Sequence, residues 1–171
     1  MRPRIEKGWI FILLATLILY SGYIVRESGS LPEKVATHFN SSGTPNGWMT
    51  KSKNMVFFLA FGPGITVFLI SIGSVIQQLP SKYLNVPNAN YWRSAEHYPR
   101  GCFFILKMLM ILSIGLLIFL AMIFHLVSHS NQSHPPHFNN EIMGRYKTFL
   151  HLFLGGWVFS LYYYFLRKPQ K

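Results

Sequence analysis

Four long apolar runs divide the chain: Gly8 to Val25, Met55 to Leu79, Phe103 to Ser128 and Thr148 to Leu166. Each approaches or exceeds the ~20 residues that a helix needs to cross a bilayer core. Apart from Lys107, no Lys, Arg, Asp or Glu lies inside any of them. A helix of a water-soluble bundle keeps a polar face every 3.6 residues. Phe11–Leu14 and Ile114–Leu120 are apolar all round, which disfavours four buried helices of a soluble bundle. The pattern predicts an all-α integral membrane protein. Its four transmembrane helices lie at approximately 8–25, 55–79, 103–128 and 148–166. A basic stretch, Met1–Lys7, precedes the first run and could open a signal peptide. The run is longer than the usual apolar core of such a peptide and lacks a small-x-small cleavage site, so a retained anchor is expected.

The connectors carry the turn signals. In the first, Val35–Phe39 favours an extended strand, followed by two turn signals, Asn40–Gly43 and Thr44–Gly47. A small ordered first loop containing a hairpin is expected, with Thr50 or Ser52 capping the next helix. In the second connector Pro87-Asn88 marks a turn, and Ser94 is placed to cap a short amphipathic helix holding Glu96, His97 and Arg100. Inside the second run, Gly62-Pro63-Gly64 predicts a packing kink. Ser71–Ser74 and Gly155-Gly156 offer small faces for close helix contact. Trp9, Tyr20, Tyr23 and Tyr162–Tyr164 lie near run ends, where amphipathic rings anchor in the headgroup layer.

Composition agrees with a membrane location: 50% of residues are hydrophobic and 12% charged, against about a quarter charged in soluble domains. The net charge of +11 invites nucleic acid as a partner. The basic residues instead cluster at run ends and in connectors, where they orient segments and meet anionic lipid. No nucleic acid is therefore expected, and the bilayer is the first partner. Ten Lys and Arg fall on the side of the termini and second connector, six on the other. Positive charge stays inside, so both termini are expected in the cytoplasm and the first and third connectors outside. The one cysteine, Cys102, excludes an intrachain disulfide and any zinc site of two or more thiolates.

The residues Leu31-Pro32, His38-Phe39-Asn40 and Gly43-x-Pro45-x-Gly47-Trp48, with Lys51, form a pattern that resembles a bacterial membrane family, the domain of unknown function 1648. That domain also occurs in SdpI-type immunity proteins, which protect a producing cell from its own secreted peptide toxin. Pro87, Asn88, Tyr91, Trp92 and Glu96 resemble the family's second loop. The resemblance covers 1–102, the first two spans with their loops. Residues 103–171 are expected to form a second pair of transmembrane helices, without the further spans of the longer immunity proteins. The resemblance implies a bacterial cytoplasmic membrane and a weak association with immunity or signalling. It implies no chemistry.

His38 with Asn40 shares one face of an extended segment. The pair either fixes the turn by bonding the loop's own backbone or recognises a ligand, with metal binding a third reading. His125, His129, His134 and His137 surround Pro135-Pro136. They are weak metal candidates of irregular spacing, otherwise solvent-facing histidines of a polar loop. Catalysis is not expected: the chain has no Asp, its five Glu are scattered, and no nucleophile elbow, zinc helix or phosphate loop appears. No cofactor is implied. The leading reading is a multi-pass membrane protein of binding, immunity or signalling type. Its first loop would be the recognition element for a peptide or protein at the outer face. A transporter or channel-like subunit acting as a homo-oligomer is the alternative, and a membrane enzyme the least favoured.

Overall fold

The structure, a computed structural model, describes residues 7–167. Four helices long and apolar enough to cross a membrane dominate it. They are α1 (Lys7–Ser28), α2 (Lys51–Ile76), α4 (Tyr98–Ser130) and α5 (Asn140–Leu166), with a short α3 (Ala89–Trp92) in the second connector. The antiparallel strands β1 (Lys34–Phe39) and β2 (Pro45–Thr50) form a hairpin between α1 and α2. The chain is an all-α membrane protein with one small two-stranded sheet.

The helices extend beyond three of the four apolar runs, because hydropathy marks the bilayer core and hydrogen bonding marks the helix. α2 begins at Lys51, four residues before its run, since the Thr50 hydroxyl accepts from Lys53 N and caps the first turn. It ends at Ile76, before Leu79. α4 begins at Tyr98 with Pro99 in its first turn, which needs no donor there. The expected helix capped by Ser94 does not form. The Ser94 hydroxyl bonds Tyr91 O and His97 Nδ1 within a turn, and Arg100 lies in the first turn of α4. Of the second turn signal, Thr44–Gly47, Pro45 to Gly47 lie in β2 rather than at a reversal, because Asn40–Gly43 has already turned the chain.

α4 is the hub, packing against α1, α2 and α5, and it is the main helical neighbour of α5. Close approach occurs at glycines. A Cβ on Gly62 of α2 would lie 2.6 Å from the ring of Tyr20 on α1, and one on Gly73 would lie 2.5 Å from Leu106 on α4. Gly115 of α4 is covered by the ring of Phe153 on α5. Without water, contacts between spans rest on such packing and on hydrogen bonds. The Ser71–Ser74 face is thus used, through Gly73. Gly155 and Gly156 are exposed, and a Cβ added at either would meet no other element within 4 Å among the described residues.

α2 runs unbroken through Pro63. Tyr20, expected in the headgroup layer, is buried and donates to Phe58 O at 2.7 Å in the turn that precedes the proline. Two apolar clusters close the ends of the bundle. Tyr20, Ile24, Val35, Phe58, Leu117 and Phe124 join α1, β1, α2 and α4 at the hairpin end. Leu84, Trp92 and Phe165 tie the second connector to the end of α5.

Candidate functional site

The hairpin is an ordered unit, and one asparagine organises its turn. Asn40 Oδ1 accepts from Ser42 N, Ser42 Oγ and Thr44 N, and Asn40 N donates to Thr44 O. Gly43 has φ +80° and lies flat under the imidazole of His137, 2.8 Å from where a Cβ would sit. Only glycine takes that conformation without strain. Gly47 needs its missing side chain for a different reason. It pairs with His38 across the sheet, whose Cβ lies 2.8 Å from the position of a Gly47 Cβ.

The hairpin is locked to the helices from its far edge. Asn131, buried at the end of α4, accepts from Ala36 N at 2.8 Å and donates to Ala36 O at 2.9 Å. One amide thus replaces a third strand along β1. Val35 and Ala36 are fully buried. Phe39 packs on Phe138, and Phe138 N donates to Gly43 O. Lys51 closes the base, its N donating to Glu33 O and its Nζ to Gly29 O. Asn131 and Phe138 were not singled out in the sequence, because neither lies in a motif and the Asn131 partner is 95 positions away.

The other side of the hairpin is open. Among the described residues, β2 has a strand on one edge alone. Trp48 is 42% exposed with the Lys34 ammonium over its ring, and Met49 beside it is 40% exposed. Pro45 starts β2 half-buried. His38 Nδ1 donates to Asn46 Oδ1 at 2.5 Å on the exposed surface. In a neutral imidazole that leaves Nε2 of this exposed side chain as an acceptor. The structure therefore brings His38, Gly43, Pro45, Gly47, Trp48 and Lys51 into one unit. It separates His38 from Asn40, which bonds the turn instead.

His125, His129, His134 and His137 do not converge. His125 Nδ1 and Tyr146 Oη share a 2.8 Å hydrogen bond at the mouth of a ~500 Å³ cleft between α1, α4 and α5. His129 and His137 line a separate ~640 Å³ cleft, and His134 stands exposed in the connector. Among the described residues no three His, Cys, Asp or Glu side chains come together as metal ligands.

The second-loop residues hold a helix end. Asn88, at φ +54°, donates from its side chain to Phe165 O and Leu166 O. Trp92 Nε1 donates to Phe165 O at 3.0 Å. These are final-turn carbonyls that a helix leaves without partners. Tyr91 packs on Trp92 and His97, while Glu96 is exposed and 3.9 Å from His97. Pro87 is half-buried in the turn.

Residues 9–62 match the family model described as Domain of unknown function (DUF1648). The chain is similar to DUF1648 over 54 of its 171 residues. The match takes in most of α1, the whole hairpin and α2 as far as Gly62, so the DUF1648 segment is a helix, an anchored hairpin and half a helix. The second-loop residues lie outside it. No curated protein and no solved structure matches the chain.

Proposed function

We propose that this protein is a binding protein of the bacterial cytoplasmic membrane, of immunity or signalling type rather than an enzyme. Its hairpin faces outward and recognises an extended peptide. One observation carries the reading: β1 is anchored on both edges, by β2 and by Asn131, while β2 keeps a free edge beside exposed Trp48 and Met49. A loop that served only to join two spans would need no such anchor, because closure cost depends little on side chains. A free strand edge offers main-chain hydrogen bonds to an incoming strand, and neighbouring side chains select its sequence. The exposed His38 side chain and the Lys34–Trp48 pair supply that selection. The resemblance to immunity proteins that answer a secreted peptide toxin favours the same ligand class.

A photo-crosslinking residue placed at Asn46 or Met49 tests this in cells. Capture of a discrete peptide or protein partner, absent when the same residue replaces Tyr83 on the opposite face, is the expected result. Crosslinks to lipid alone from both hairpin positions would exclude it.

A further inference from the structure

Lys107 stands within the apolar run of α4, where a cation is costly and needs a partner or a path to the interface. Its ammonium lies 4.7 Å from the centre of the Trp9 ring. Among the described residues no carboxylate is within ion-pair reach of it. The side chain lines a ~700 Å³ cleft on the lipid side of the bundle, with α4 as floor and Trp9 of α1 and the second half of α5 as walls. Arg167 stands at one end of the same cleft, its guanidinium 5.4 Å from the Tyr163 ring. The remaining lining is mainly apolar and aromatic, from Phe104, stacked on Tyr164, to Ile111 and Leu152.

We propose that this cleft holds one anionic phospholipid of the leaflet on the side of the chain termini. Its phosphate lies between Lys107 and Arg167, and an acyl chain follows α4 towards Ile111 and Leu152. Leu152 to Arg167 spans about 22 Å at ~1.5 Å per residue, close to one leaflet with its headgroups. A long lysine stem lets the ammonium reach from the apolar run towards headgroup depth. Two cations at one end of an apolar trough complement an anionic head on an apolar tail. A zwitterionic lipid has the tail but no net charge to match them.

The test uses the full chain in phosphatidylcholine vesicles carrying a minority of brominated phosphatidylglycerol or of brominated phosphatidylcholine. Trp9 emission is taken as the difference between the protein and its Trp9→Phe variant. Brominated phosphatidylglycerol should quench Trp9 at a concentration at least several-fold lower than brominated phosphatidylcholine. Lys107→Gln or Arg167→Gln should each reduce that preference by roughly fivefold, at ~1 kcal/mol per basic residue near the surface, and Lys107→Arg should keep it. Equal quenching by both lipids would overturn the proposal, as would a preference that survives both Gln substitutions. Displacement of the brominated lipid by glycerol 3-phosphate would assign the site to a free phosphate instead of a lipid.

Discussion

The side chain of Asn131 both donates to and accepts from the backbone of Ala36, so the last residue of the α4 region does the work of a neighbouring strand. Both partners are buried, and Asn131 Nδ2 also donates to Val127 O, which fixes the amide. The hairpin is thereby part of the membrane bundle.

Asn131→Ala removes both bonds and leaves Ala36 N and O buried without partners. A buried group so orphaned costs ~1–3 kcal/mol. The expected outcome is faster hydrogen exchange throughout β1 and β2, with α2 and α4 still protected. Unchanged exchange at Ala36 would show that the anchor is dispensable.

Gly43 and Gly47 should fail differently. Gly43→Val forces a β-branched residue into positive φ and against His137, and should cost roughly 1–3 kcal/mol. Replacing His137 by Ala should restore little, since the backbone strain remains. Gly47→Val collides with the His38 Cβ, and His38→Ala should give no relief because alanine keeps that atom. Thermal unfolding of single and double variants reads both outcomes.

The four spans, the strand Val35–Phe39, the turn at Asn40–Gly43 and a cap at Thr50 or Ser52 were legible in the sequence, because each rests on local residue chemistry. Positions set by distant partners were not. Tyr20 reads as an interface anchor by its place in the run, yet Gly62 gives it a slot and Phe58 O an acceptor inside the bundle. Thr44–Gly47 reads as a turn as readily as Asn40–Gly43 does. Asn40 Oδ1 gathers three donors, which settles the reversal there. Trp92 reads as part of a loop motif, and the α5 carbonyl it caps lies 73 positions away.

His38→Ala separates scaffold from recognition. Its bond to Asn46 is exposed, so the loss should cost no more than about 1 kcal/mol. Partner capture at Met49 should nevertheless fall sharply. A parallel loss of stability and capture would make His38 a structural residue only.

Trp92→Phe keeps the ring packing against Phe165 and Tyr164 but removes the bond to Phe165 O. Asn88 still donates to that carbonyl, so the single variant should lose ~0.5–1.5 kcal/mol. With Asn88→Ala added, the Phe165 and Leu166 carbonyls lose their side-chain donors together, and the loss should exceed the sum of the two singles. Unfolding in detergent, compared across the four proteins of the cycle, checks this.

Recognition of an outside peptide requires the hairpin to face outward, and thiol labelling in intact cells tests that most directly. Ser42 is exposed in the turn of the hairpin, and Tyr83 is exposed on the opposite face. Native Cys102 is buried against Ile76 O and should stay silent. An impermeant maleimide should label Ser42→Cys in intact cells and Tyr83→Cys only after the cells are opened. Labelling of Tyr83→Cys in intact cells, with Ser42→Cys protected until lysis, would place the hairpin in the cytoplasm and contradict the account.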